Sequence, residues 1–324
     1  MTLRAFRVGV VGARRVRQGT GAYLARHLHG AGAIVVGVAG TSRATAEEAA
    51  AALVPSGIGA TPYDDVRAMI DAQRLDALVI ASPYATHERW LELGLAAGLH
   101  VLCEKPLLVP DARSIATGRR LVDAFAARGL LLAVNVPWRH ALGAYMQLFP
   151  EVTPRSAATF EMEMSPRTTG LEMVVDSLSH PLSVIDHLHP VRTPGLRDID
   201  VRFASARDAT LEFTHPGGTA GVRVVVRLRS DDTQPRRMAF GFDGRMARRE
   251  IEEPGYRLSL RAEGGDDARR DACPFASDAV ARRFVERVRK GPPFPPDAVT
   301  LAGLVHLHEL VAAAALVAPP PGAG

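Results

Sequence analysis

The chain has 324 residues, which at roughly 100–200 residues per domain suggests two domains. Its composition, 47% apolar, 23% charged and 6% aromatic, excludes a largely disordered chain. The formal net charge is +4, yet the cations are scattered with no run of five or six, which argues against a nucleic-acid partner.

Residues 6–12, FRVGVVG, form a short β-branched apolar run ending in glycine, the mark of a buried parallel strand. A helix is predicted over 20–29, a strand over 33–39, helices over 44–53 and 64–72, and a strand over 75–81. A helix over 86–97 stops at Gly98, a strand covers 100–103, a long amphipathic helix over 111–128 stops at Gly129, and a strand covers 130–135. This alternation predicts an α/β domain, a doubly wound parallel sheet with helices on both faces, over residues 1–139. From about residue 190 short alternating strands dominate, among them 210–213, 221–228 and 238–242, with an earlier one at 157–164. The turn signals HPGG and FDGR separate them. Residues 140–324 are therefore expected to form an α+β domain on a mostly antiparallel sheet. Its late helices span 277–290 and 299–317, and the C-terminal helix is expected to pack back on the first domain.

No uninterrupted apolar run reaches the ~18 residues of a membrane span. The longest candidate, residues 310–319, is Ala-rich and stopped by prolines. The opening MTLRAFRVGVVG enters a strand pattern directly, so no secretory signal is expected, and two cysteines, Cys103 and Cys273, form no disulfide framework. A reducing, cytoplasmic location without a membrane partner is the expectation.

A strand that ends in glycine and turns into a helix gathers backbone N–H groups and a positive dipole end at one point, which suits a pyrophosphate. The loop here runs from Gly12 through Ala13, Arg14, Arg15, Val16, Arg17, Gln18, Gly19 and Thr20 to Gly21. Gly12 fits the first position of a Gly-x-Gly-x-x-Gly pattern, while an ungapped match puts Arg14 and Arg17 where glycines belong. An inserted loop with Gly19 and Gly21 at the helix start fits better. The same residues also read as an unliganded strand-to-helix turn with solvated arginines. At the end of the second strand, Thr41-Ser42-Arg43 carries no acid to bind a ribose diol, and Ser42 and Arg43 can bond a 2′-phosphate. The segment thus predicts NADP over NAD, against a plain helix cap followed by a surface arginine.

Of the 39 Lys and Arg residues, only Lys105 and Lys290 are lysine. Where most cations are written as arginine, a retained lysine marks a place for a compact amine whose pKa can move. Lys105 stands in Glu104-Lys105-Pro106, directly after a buried strand. Residues 79–108, VIASPYATHERWLELGLAAGLHVLCEKPLL, together with the Gly12 strand, closely resemble the Gfo/Idh/MocA oxidoreductase family. The resemblance covers most of residues 6–139 and is patchier beyond.

The resemblance implies a Rossmann domain followed by a substrate and oligomerisation domain. It implies hydride transfer between NAD(P) and a sugar, polyol or related small molecule. It places Ser82, Pro83, His87 and Glu104 beside the cofactor. Trp138 and Arg139, after the last strand of the first domain, read either as cofactor or substrate neighbours or, for Trp138, as interdomain packing. Alcohol oxidation needs the hydroxyl proton removed and the reverse reaction needs it returned, work for a positioned Lys or His. Asp176 and His180 lie four residues apart and share a face of a helix. In the family this His commonly handles the proton with the Asp assisting. Lys105, Asp176 and His180 are the expected catalytic set, aimed into one cleft. No metal is expected, although His187 and His189 follow His180 and Asp186. His215, His306 and His308 read as surface or core residues, and Cys103 as a small core residue. Arg139 and Arg167 favour an acidic substrate. A homo-oligomer, dimer or tetramer, is expected through the open face of the second sheet. The competing reading is a non-catalytic sensor on the same fold, supported by the altered glycine loop.

Overall fold

The computed structural model describes residues 5–14, 20–190, 195–252, 257–264 and 271–320. The chain divides into two compact units. The first comprises residues 1–109, 116–135 and 278–297, and the second residues 110–115, 136–277 and 298–324.

The first unit runs β1 (Arg7–Val11), α1 (Gly21–Gly30), β2 (Ile34–Ala39), α2 (Arg43–Ala51), β3 (Thr61–Tyr63), α3 (Val66–Gln73), β4 (Ala77–Ile80), α4 (His87–Ala96), β5 (His100–Glu104), α5 (Ala112–Ala127) and β6 (Leu132–Asn135). The six strands are all parallel in the order β3-β2-β1-β4-β5-β6. Val8, Val10, Leu78, Val79, Val101 and Leu102 are buried because helices cover both faces. The strand order reverses between β1 and β4, and in such sheets ligands bind at the carboxyl ends of the strands beside that reversal.

The second unit continues with α6 (Leu142–Leu148), β7 (Thr159–Met164), α7 (Gly170–Leu188), β8 (Arg197–Ser205), β9 (Asp208–His215), β10 (Val222–Arg229), β11 (Met238–Phe242), β12 (Arg245–Glu252), β13 (Arg257–Ala262) and β14 (Cys273–Phe275). Then α8 (Ala279–Lys290) belongs to the first unit, where it packs on α1 and sets Phe284 against Phe6, while the last helix, α9 (Ala298–Ala315), belongs to the second. The eight strands run β14-β13-β12-β11-β7-β10-β9-β8, antiparallel except for the β7–β10 pair. One face carries Phe160, Met162, Phe213, Val224, Phe240 and Phe242, all buried.

The other face is a lattice of ion pairs. Arg227 meets Glu161 at 2.7 Å, and Arg237 meets both Glu163 and Glu263 at 2.9 Å. Val225, level with Glu161 and Glu212, lies buried beneath it. Helix α9 is long and apolar enough to cross a membrane by length and composition, which corrects the expectation that no segment is. Here it lies along α7 and brings the buried His306 onto Asp186.

Candidate cofactor and active site

Gly12 follows β1 with φ +83°, a conformation L side chains rarely adopt, and a Cβ there would stand 2.7 Å from the Ser82 amide nitrogen. A Cβ on Gly21 would stand 2.4 Å from the Gly12 carbonyl oxygen. The two glycines let the end of β1, the end of β4 and the start of α1 meet backbone to backbone at the sheet's reversal. Gly19 lies outside the described residues.

Glu104, at the end of β5, is nearly buried and held by three donors. The Thr20 hydroxyl donates to Oε1 at 2.5 Å, the Asn135 amide to the same oxygen at 2.6 Å, and the Lys105 backbone N–H to Oε2 at 3.3 Å. These partners come from the start of α1 and the end of β6, so Glu104 ties three carboxyl-end segments together and fixes the backbone that presents Lys105. Sequence reading gave Thr20 and Asn135 no part in this. Lys105 is half-buried, and the peptide bond to Pro106 is cis. Ser82 Oγ lies 2.7 Å from Thr86 Oγ1, shaping the turn after β4, in which Pro83 is exposed.

His87, expected beside the cofactor, has no exposed surface. Nε2 lies 2.8 Å from the Ser82 carbonyl oxygen, and Nδ1 lies 2.9 Å from the Pro106 carbonyl oxygen and 3.3 Å from Cys103 Sγ. Burial pulls the imidazole below its ordinary pKa against the opposing pull of the two carbonyls and Glu104. The Cys103 thiol is fully buried and pushed well above its ordinary value, so it is a core residue and not a nucleophile.

At the end of β2, Thr41, Ser42 and Arg43 are exposed. Ser42 caps α2, its Oγ accepting the Thr45 N–H at 3.3 Å while Thr45 Oγ1 accepts the Ser42 N–H at 3.0 Å. Arg43 pairs with Glu47 at 2.8 Å and donates to the Pro62 carbonyl at 3.0 Å; Arg14 pairs with Glu48 at 2.6 Å. Both pairs are exposed, so the guanidinium groups stay open to an exchange of partner.

In the second unit, Asp176 and His180 sit one turn apart on α7 and are both half-buried. Pro181 follows inside the helix and removes one ladder hydrogen bond at that turn. Trp138, expected beside the cofactor or in interdomain packing, is a buried ring that packs within the second unit edge-on to Phe240 at 5.8 Å and tilted on Phe275 at 6.0 Å. Arg139, in the short turn Pro137–Ala141, is half-buried. Arg167 is exposed, with Asp232 at 4.0 Å.

Among the described residues, Asp186, His215 and His306 form a fully buried cluster whose ligand-type atoms lie within 4.8 Å of one another. The proton inventory makes it a hydrogen-bonded knot. Gly217 N–H donates to His215 Nδ1 at 3.0 Å, which places the ring proton on Nε2, and Nε2 donates to Asp186 Oδ1 at 3.0 Å. His306 Nδ1 donates to the same oxygen at 2.8 Å. A metal at His215 Nε2 would need a lone pair where the neutral ring carries hydrogen. The knot joins α7, β9 and α9. Sequence reading left His215 and His306 without a role.

Residues 6–136 match the model of the oxidoreductase family with an NAD-binding Rossmann fold. Inositol 2-dehydrogenase 4 of Saccharopolyspora erythraea is 38% identical over 131 residues, covering 38% of this chain and 37% of that protein. The inositol 2-dehydrogenase of Streptomyces avermitilis is 43% identical over 102 residues, covering 32% of this chain and 27% of its own, so this chain matches about a third of these two relatives. A dTDP-3,4-didehydro-2,6-dideoxy-alpha-D-glucose 3-reductase of Streptomyces violaceoruber is 28% identical, covering 89% of this chain and 87% of that one. Among solved structures, the 3-ketoreductase KijD10 of Actinomadura kijaniata with NADP shares the fold with TM-score 0.69 at 19% identity, covering 95% of this chain and 96% of that one. GenD2 of gentamicin A biosynthesis with NAD shares it with TM-score 0.68 at 16% identity, covering 97% and 95%. The match to the Gfo/Idh/MocA oxidoreductase family model is confined to residues 6–136, which carry the reversal-point glycines and the Glu104-Lys105-Pro106 turn.

Proposed function

We propose that the protein transfers a hydride between a nicotinamide cofactor, NADP in preference to NAD, and a sugar, polyol or related hydroxyl or carbonyl compound. The observation that carries this reading is Glu104, clamped by Thr20 and Asn135 at the carboxyl ends of the parallel strands so that the Lys105 backbone is fixed there. A clamp of charge-assisted bonds on a nearly buried carboxylate is built for position.

The first unit fits a dinucleotide. Gly12 and Gly21 allow the close backbone approach at the start of α1 that a pyrophosphate site needs, and the NADP preference is supported by Ser42, Arg43 and Arg14, whose arginines could exchange Glu47 and Glu48 for a 2′-phosphate. The bound nicotinamide supplies the hydride acceptor or donor. Lys105 and His180 move the hydroxyl proton, Lys105 also favours developing negative charge on the substrate oxygen, and Asp176 assists His180. The substrate class follows the relatives, whose names specify inositol and a dTDP-linked keto sugar. Copies of the chain associate through the charged open face of the second sheet, and the protein works in the cytoplasm.

The test follows absorbance of reduced nicotinamide with myo-inositol and other polyols in one direction and a dTDP-linked 3-keto sugar in the other. Turnover with one of these, falling about 10²–10⁴-fold in Lys105→Met and His180→Ala with melting temperature retained, supports the reading. Full turnover in Lys105→Met contradicts it. Cofactor binding without turnover of any member would favour the sensor reading.

A further inference from the structure

Two backbone segments flank the candidate cofactor seat of the first unit: the turn after β4, beginning at Ser82, and the Glu104-Lys105-Pro106 turn after β5. Glu104 fixes the second turn from its own side of the sheet. The paired ends of β4 and β5, with Ile80 opposite Cys103, bring the two turns side by side. His87, the first residue of α4, occupies the space between them with no exposed surface.

The imidazole spans the gap end to end. Its Nε2 lies 2.8 Å from the Ser82 carbonyl oxygen, and its Nδ1 lies 2.9 Å from the carbonyl oxygen of Pro106, the residue bonded to Lys105. Both oxygens are acceptors only. A neutral ring carries one N–H, and it has two ways to place it. Nδ1–H donates to Pro106, or Nε2–H donates to Ser82 while Nδ1 takes the hydrogen of the Cys103 thiol, which burial keeps protonated. The doubly protonated ring donates to both. Each neutral form ties one carbonyl by a hydrogen bond and keeps the ring in contact with the other, and the doubly protonated ring ties both across its rigid width.

We propose that His87 is a positioning residue, a buried staple that sets the Lys105 turn against the Ser82 turn and so places the Lys105 amine without itself touching cofactor or substrate. This rests on the reading of Lys105 as the proton-handling group. It replaces the expectation that His87 binds the cofactor.

The test uses the full-length chain with His87→Phe, which keeps the ring's bulk and removes both nitrogens, and His87→Gln, which restores one donor. Cys103→Ala keeps both carbonyl contacts. Amide hydrogen exchange is measured first, without cofactor, so that it is informative whether or not the chain turns over a substrate. His87→Phe is expected to speed exchange at residues 82–86 and 105–108 at least tenfold and to leave β1 unchanged. Steady-state kinetics follow on the substrate found active. Misplacing a catalytic group by about 1 Å lowers rates on the order of 10²-fold. His87→Phe should therefore lower kcat about 100-fold with nicotinamide Kd changed less than threefold, His87→Gln should recover part of it, and Cys103→Ala should stay within threefold of wild type. Unchanged exchange in the two turns overturns the staple. A tenfold weaker nicotinamide Kd with kcat retained overturns it in favour of direct cofactor contact. If His87→Phe fails to fold, the same exchange and kinetic comparison on His87→Gln decides between them. Absence of any turnover in wild type would refute the proposed function and leave the exchange result to judge the staple.

Discussion

Removing the Asp186 carboxylate should destabilise the second unit severely, and the structure gives the size. His215 Nε2–H and His306 Nδ1–H both donate to Oδ1, at 3.0 and 2.8 Å, and none of the three side chains is exposed. Asp186→Ala leaves two buried N–H donors without an acceptor, together with a cavity. Orphaned buried donors lose about 1–3 kcal/mol each, so two of them lose about 2–6 kcal/mol, and the cavity adds to this. We therefore expect a loss of about 3–5 kcal/mol, a fall of roughly 1.5–2.5 M in the urea midpoint at a typical slope near 2 kcal/mol/M. The two tryptophans, Trp90 and Trp138, fall one in each unit. Unfolding followed by fluorescence in a Trp90→Phe background thus reports the second unit alone. The triple variant Asp186→Leu, His215→Phe, His306→Leu removes donors and acceptor together and should be less destabilised than Asp186→Ala. A loss under about 1 kcal/mol for Asp186→Ala, or a triple variant that is worse, would refute the hydrogen-bonded knot.

Gly21→Ala puts a Cβ 2.4 Å from the Gly12 carbonyl oxygen, so the α1 start must shift. Overpacking of this kind costs about 1–3 kcal/mol, and nicotinamide binding should be lost with it; a variant that melts and binds as wild type contradicts the close approach. Arg43→Ala removes a charged partner for a 2′-phosphate and should weaken NADPH about tenfold, the equivalent of ~1.4 kcal/mol, while NADH changes little. Equal effects on both cofactors would count against the NADP reading. His100 Nδ1 accepts the Leu131 N–H at 2.9 Å, and burial lowers its pKa. The unfolded chain then binds the proton more readily, so this contribution is present above about pH 6.5 and is lost as pH falls through that value toward the folded pKa. The urea midpoint of the first unit, read by Trp90 in a Trp138→Phe background, should fall between pH 7.5 and 5.5, less steeply in His100→Gln. Identical slopes would contradict the assignment.

The first unit was legible because its strands are buried on both faces and read as unbroken apolar runs such as Ala77–Ile80. Strand β3, TPY, escaped because three residues centred on a proline carry no period. Strands β8 (RDIDVRFAS) and β12 (RMARREIE) escaped because charged residues interrupt the apolar alternation in both and few of their residues are buried. The Glu104-Lys105-Pro106 turn was legible as a motif. Its Thr20 support was not, since Thr20 reaches Glu104 across 84 residues, nor was the knot of the second unit, where His306 reaches Asp186 across 120. No local spacing encodes such pairs. For His87, the position beside the loop was readable, but its complete burial was not.

The central claim, that a nicotinamide dinucleotide seats at the β1–β4 reversal, is tested most directly by titrating the wild-type chain with NADPH and NADH and following fluorescence of the reduced ring. We predict saturable binding of one molecule per chain, with NADPH at least tenfold tighter than NADH. No saturable signal from either would contradict the account.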